Sequence, residues 1–234
     1  MSDREQNGAM PADAFDLVAF MRGLAHEIAN PLNAITMNSE LIRLLLDRGD
    51  AARAREVLDR LLTDCARCAK LVRELQKFGS GLRPQARGSV PVDELLQGAR
   101  TMLALEYGAT LPEFRIGALD ASLQDVDRTA LERALAALLR NAAEAGAATV
   151  TLDAQRDGDD VVIDVRDDGN GPAAEDLVRG VEAFYTTRRA DGGVGLGLTL
   201  ARELLRWHGG TLTLAANAPR GMHAQVRVPV HGAV

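Results

Sequence analysis

The chain has 234 residues, 47% hydrophobic and 26% charged, with a formal charge of -6; this is globular composition whose acidity excludes general attraction to nucleic acid or an anionic membrane surface. Aromatic residues make up only 3%, so the core must be aliphatic and rich in helix. No window approaches the roughly 18 consecutive apolar residues of a membrane span, and the start MSDREQNGAMPADAF has neither a signal nor a lipidation pattern, so a cytoplasmic location is expected.

Residues 1–13 read as a tail. From Val18, positions 18, 21, 25, 28, 32, 35, 39, 42 and 46 step alternately by three and four, and only Ser39 among them is polar. Gly49 and Asp50 supply a terminator and an N-cap, and a second series follows at 51, 54, 58, 61, 65, 68, 72 and 75. Two long helices joined by so short a turn predict an antiparallel hairpin over residues 14–78. Its further apolar positions, Leu24, Leu41, Leu45, Leu62 and Leu71, leave a face that two helices cannot cover, so a homodimeric four-helix bundle is expected. Cys65 and Cys68 fall on the seam and read as small core residues. One CxxC without a second pair or nearby histidines is a weak metal signal, and a disulfide would have to span neighbours on one helix face.

Residues 79–90, GSGLRPQARGSV, carry Gly, Pro and Ser without apolar period and read as a linker to a second domain over 91–231. That domain begins with a helix (about 92–106), a strand (about 113–117) and a helix (about 127–145). TVTLDAQ and DVVIDVRD then alternate as strands across a QRDGDD turn. Glycines 192–197 lead into a helix ending at Trp207 and His208, with Gly209 as C-cap, and TLTLAAN and HAQVRVPV close the chain. Four or five strands with three helices predict an α/β sandwich with mixed pairing rather than a doubly wound parallel sheet.

Three clusters in this domain carry chemistry. Asn141 stands on a helix otherwise filled with Ala and Leu, where its amide needs either a core partner or a ligand. VVIDVRDDGNGP ends a strand in a D-x-G-x-G pattern (Asp167, Gly169, Gly171), which lets backbone approach a ligand while a carboxylate accepts a hydrogen bond. GGVGLGLTLAREL runs glycines into a helix start, suited to polyphosphate. It is neither a Walker A loop, lacking Lys-Ser or Lys-Thr, nor a Rossmann turn. FYTTRR, 184–189, adds hydroxyls and two arginines able to meet phosphate charge. Each alone has a bland reading: a satisfied core amide, a glycine turn, a solvated loop.

In order, HEIANPL around His26, LLRNAAEA around Asn141, DDGNG, AFYTTR and GGVGLGL resemble the H, N, G1, F and G2 boxes of the histidine kinases of two-component signalling, over about residues 15–230. The resemblance implies a dimerising, phosphate-accepting hairpin followed by a GHKL-type ATP-binding α/β sandwich, as in gyrase, Hsp90 chaperones and MutL. It implies ATP and Mg2+ as ligands, autophosphorylation on His26, transfer to an aspartate of a response regulator, and phosphatase action on that partner. Asp167 would accept from the adenine amino group, with Gly169 and Gly171 shaping the pocket floor. Asn141 would hold Mg2+ against the phosphates. Residues 172–192 would form a lid, packed down by Phe184, with Thr187 and Arg188 on phosphate; Gly193, Gly195, Leu196 and Gly197 would lie along the triphosphate. Two positions depart from the family: Ala137 stands where a second Asn is frequent, and Glu144 where a Lys is frequent.

His26 lies one position past Ala25, about 100 degrees round the helix from the expected seam, and so can meet solvent. An imidazole ring nitrogen is a nucleophile suited to attack on a phosphoryl group. Glu27 is the candidate to accept a proton from the other ring nitrogen, and Asn30, four residues on, shares the face of His26 and can position a water. Pro31 returns no N–H to the carbonyl of Glu27, a break costing about 3 kcal/mol, and is expected to act as a hinge. Two other readings compete. A phosphotransfer or scaffold protein with a defective nucleotide site draws on Ala137 and Glu144; a GHKL serine kinase of the anti-sigma type leaves the histidine hairpin unexplained. About fifteen residues precede the first helix, too few for a sensor domain, so the signal is expected from a separate sensor protein or from further chain.

Overall fold

The computed structural model describes residues 15–81, 86–108, 111–189 and 192–231; the tail 1–13 lies outside them. Asp16 caps the first helix, α1 (Leu17–Asp47), its Oδ1 accepting from Ala19 N at 2.8 Å. Gly49, at φ 75°, ends the connection, and Asp50 Oδ1 accepts from Arg53 N at 3.2 Å to start α2 (Ala51–Gly81). A helical hairpin is thus formed, as expected, with α2 running on to Gly81, but its internal seam is different. Phe20, Pro31 and Leu45 of α1 are buried, with Ala54, Val57, Leu71 and Phe78 of α2. Val18, Met21, Ala25, Leu32 and Leu46, expected on the seam, are exposed; so is Cys65, while Cys68 is half-buried. Of the supposed surplus, Leu45 and Leu71 close the hairpin itself and Leu41 and Leu62 stay outside. The uncovered stripe therefore runs through Leu17, Val18, Met21 and Leu32, each at least half exposed.

α1 continues through Pro31 without interruption. In the turns that follow, Thr36 Oγ1 donates to Leu32 O (2.9 Å) and Ser39 Oγ to Ile35 O (2.7 Å), back-bonds that favour bending. Of the stretch read as linker, 79–81 continue α2 and 87–90 belong to a strand, while 82–85 lie outside the described residues. That strand, β1 (Arg87–Pro91), pairs antiparallel with β3 (Ser122–Asp127), which the sequence reading also lacks.

The remaining elements follow as α3 (Val92–Tyr107), β2 (Glu113–Leu119), α4 (Arg128–Glu144), β4 (Thr149–Asp157), β5 (Asp160–Asp167), α5 (Ala174–Arg179), α6 (Gly197–Arg206), β6 (Thr211–Ala216) and β7 (Met222–Pro229). The main sheet has the order β2-β4-β5-β7-β6; β2 and β4 are parallel and the other neighbours antiparallel, so pairing is mixed as expected. Alternation makes it one-sided. Val161, Ile163 and Val165 of β5 and Ala224, Val226 and Val228 of β7 face α3, α4 and α6 in one aliphatic core. The opposite face is polar: Asp164 accepts from His223 (2.5 Å) and Gln225 (3.2 Å) and pairs with Arg166. His208, 2% exposed, is a structural residue, its Nε2 accepting from Asp127 N (3.0 Å) and its Nδ1 facing Leu204 O (2.8 Å). The end of α2 is tied to this layer by Lys77–Glu106 (2.9 Å) and by Arg133 donating to Ser80 O (2.9 Å). No helix among the described residues is long and apolar enough to cross a membrane.

Candidate functional site

A cleft of about 660 Å3 opens between α4, the segment 170–198 and the ends of α2 and α3. Asp167 is not on its wall, but its carboxylate accepts from the backbone of Met222, which is. Asp167 ends the row Val161, Ile163, Val165 that faces the helices, so its carboxylate turns inward and is 3% exposed. Burial pushes its carboxyl above the usual range, while N–H groups of Gly169 (2.9 Å) and Met222 pull the other way. The adjacent Asp168 does different work: its Oδ1 accepts from Thr149 N (2.9 Å) and Ala148 N (2.8 Å), and these bonds hold its carboxyl below the usual range. The backbone of Gly221, at φ 102°, lies against the carbonyl of Asp167 where any Cβ would collide, and Asn217 Nδ2 donates to that carbonyl at 2.8 Å. Neither residue carries a signal in the sequence.

Asn141 reaches into the cleft from α4. Its Nδ2 meets only Met222 Sδ at 3.8 Å, a weak acceptor, and its Oδ1 has no partner among the described residues. This open oxygen is a hard donor of the kind Mg2+ takes when phosphates supply the other ligands, so the residue fits the expected metal. Among the described residues there is no group of three or more His, Cys, Asp or Glu able to hold a metal.

Opposite, α6 begins without a side-chain cap and with no acidic residue in its first turn, leaving N–H groups and the positive end of the helix free for an anion. The glycine run leads into it. Gly195, at φ 76°, passes so close to the carbonyl of Tyr185 that a Cβ would collide. Gly171, Thr187, Arg188, Gly193, Gly195, Leu196 and Gly197 line the cleft with Asn141, joined by Arg140 and Glu144 from the same stretch of α4 and by Lys70 and Tyr107, which the motifs do not mark. Gly169, like Asp167, is buried and not on the cleft wall.

Phe184 does not face the cleft. It turns towards the hairpin, with its ring centroid 5.2 Å from that of Phe20, and joins Leu71, Phe78 and Leu196 in a small core between the two halves of the chain. Its φ of 66° is strained for a bulky residue, and this packing holds it there. Arg189 Nη1 donates to both oxygens of Glu27 (2.6 and 2.7 Å), and Arg189 Nη2 to Phe184 O (3.2 Å). The segment 184–189 therefore grips α1 at the turn that bears His26. His26 and Asn30 are exposed, while the Glu27 side chain is only 13% exposed.

Residues 16–81 match the His Kinase A (phospho-acceptor) domain model, and 126–232 match that of the Histidine kinase-, DNA gyrase B-, and HSP90-like ATPase. The alginate biosynthesis sensor protein KinB of Pseudomonas aeruginosa is 28% identical over 229 residues, covering 90% of this chain and 36% of KinB. The sensory histidine kinase/phosphatase NtrB of Rhodobacter capsulatus is 29% identical over 224 residues, 88% of this chain and 60% of NtrB. Among solved structures, the Acinetobacter baumannii histidine kinase AdeS superposes with a TM-score of 0.56 at 17% identity, over 88% of this chain and 98% of that one. The chain thus spans about a third of the length of KinB and three fifths of NtrB.

Proposed function

Because the chain belongs to the histidine kinase family, we propose that it phosphorylates His26 from ATP bound in the cleft and passes the phosphoryl group to an aspartate of a response regulator. The observation that carries this reading is the Arg189–Glu27 contact, which joins the lid of an anion-binding cleft to the histidine-bearing turn of α1. In the cleft, Asp167 accepts from the adenine amino group, Gly169 and Gly171 shape the floor, and Gly193 to Gly197 run along the phosphates with Thr187 and Arg188. Asn141 would hold Mg2+, which when bound would neutralise charge on the phosphate oxygens. A ring nitrogen of His26 forms the new bond to the γ-phosphorus as the bond to the bridging oxygen breaks. ADP leaves, and the proton on the other ring nitrogen passes to Glu27. Since Arg189 engages both oxygens of Glu27 here, that proton transfer requires the lid to let go of α1.

The exposed stripe through Val18, Met21 and Leu32 supports a homodimer through the hairpin, and the absence of a spanning helix among the described residues agrees with a cytoplasmic catalytic portion. In this reading Asn30, which is exposed, orients water for dephosphorylation of the partner, and Pro31 acts as a hinge. Incubation with γ-labelled ATP tests the reading. Acid-labile label should appear on the wild type and be absent from His26→Ala and Asn141→Ala, and an unlabelled wild type would refute it.

A further inference from the structure

Glu144 puts a negative charge on the wall of a cleft that otherwise collects phosphate-binding groups. It stands one helical turn after Asn141 on the same face of α4. Its two oxygens have different partners: Tyr107 of α3 donates to Oε1 at 2.8 Å, and Arg188 Nη2 of the lid donates to Oε2. The backbone of Arg188 is fixed as well, its N–H bonded to Thr186 Oγ1 (3.1 Å) and its carbonyl accepting from Gly193 N (2.9 Å). The other guanidinium N–H groups have no partner among the described residues, and Arg188, Glu144 and Tyr107 all line the cleft. Burial and the neighbouring carboxylate both raise the Tyr107 hydroxyl above its usual range, so it remains a donor at neutral pH.

We infer that Glu144 and Tyr107 are positioning residues that hold Arg188 by one edge of its guanidinium so that the other edge meets the terminal phosphate of a bound nucleoside triphosphate. A lysine at 144 would itself bind phosphate; a glutamate there recruits the cation from the lid instead. The planar fork of arginine permits this double use, with one edge on a carboxylate and one on a phosphate. Two consequences separate this from a merely structural role. Without Glu144 the arginine loses its orientation and the preference for triphosphate falls. Without Arg188 the bare carboxylate faces the phosphates, so Arg188→Ala is worse than the double variant that also carries Glu144→Gln.

This inference rests on the nucleotide-binding reading, and calorimetric titration of the full chain with ATP and with ADP in Mg2+ tests both. Glu144→Gln should weaken ATP about tenfold, the scale of one charge-assisted hydrogen bond, and leave ADP within about twofold. Tyr107→Phe should shift the ATP-to-ADP ratio in the same direction and less, and the double variant should bind ATP more tightly than Arg188→Ala alone. Melting curves of each variant establish that it is folded. An unchanged ATP-to-ADP ratio in Glu144→Gln, tighter ATP binding by it, or independent losses in the double variant overturns the inference and leaves the nucleotide site standing. A folded wild type that binds neither nucleotide overturns both.

Discussion

Gly23, one turn before His26, is where the docking of the lid on α1 can be tested by a single methyl group. An alanine Cβ there would lie 2.7 Å from Phe184 Cδ2 and 3.2 Å from Cε2. The ring cannot give freely, because Phe184 is held at φ 66° with its N–H bonded to Gly195 O at 2.9 Å. Two effects of opposite sign follow. In an isolated helix, Gly→Ala stabilises by about 0.5–1 kcal/mol. Overpacking the docked lid costs about 1–3 kcal/mol, against the roughly 1.5–3 kcal/mol that burial of the Phe184 ring contributes. The docked-to-undocked ratio should therefore fall by about 5- to 150-fold while the hairpin itself gains stability. Hydrogen exchange resolves the two: amides of residues 184–189 should exchange faster in Gly23→Ala, and those of α1 no faster. In a Phe184→Ala background only the helix gain should remain. Lid protection equal to that of the wild type would refute the contact.

Arg189→Ala removes the hold of Nη1 on both oxygens of Glu27, and should raise the initial rate of His26 labelling severalfold without weakening ATP binding, as read by filter binding and titration. Asp167→Asn places an NH2 group where a carboxylate oxygen accepts, so ATP affinity should drop at least tenfold, the scale of a hydrogen bond to a charged acceptor. Burial of Asp164 pushes its carboxyl up, but hydrogen bonds from His223 and Gln225 and the charge of Arg166 more than offset this and hold it below the usual range. With the folded value depressed, this stabilisation is complete above the ordinary aspartate value of about 3.9 and is lost as pH falls through the lower folded value. Asp164→Asn should flatten that part of the acid limb in melting curves taken from pH 6 to 3.

The hairpin was legible because two series of three- and four-residue steps are hard to produce in anything but paired helices. Which face meets which was not. A helix in a four-helix bundle buries a wide stripe, part against its own mate and part against the partner, and one string of apolar positions runs across both; Val18 and Ile35 therefore read alike although the first is exposed and the second half-buried. The edge strand β1 was hidden by Gly88, Ser89 and Pro91, residues that read as linker and are tolerated at the margin of a two-stranded sheet. In the cleft, Asp167 and the glycines announced themselves through local spacing. Tyr107, Glu144 and Arg188 meet across separations of 37 and 44 residues, and no local pattern encodes such a meeting.

The departures from the family pattern look different once they are placed in space. Glu144, read alone, weakens the nucleotide site, because a carboxylate replaces a cation beside phosphate. In the fold it belongs to a pair of adjacent lid arginines that point two ways: Arg188 to Glu144 in the catalytic half, Arg189 to Glu27 on the hairpin. Arg188 and Arg189 share a peptide unit, so a backbone shift that carries Arg188 towards phosphate also strains the Arg189–Glu27 contact. The cleft and the turn that bears His26 are thus linked through adjacent residues, with Phe184 adding an apolar anchor a few residues upstream. A lysine at 144 would serve the phosphates as a charge, but it would leave this segment with a single tie, to the hairpin.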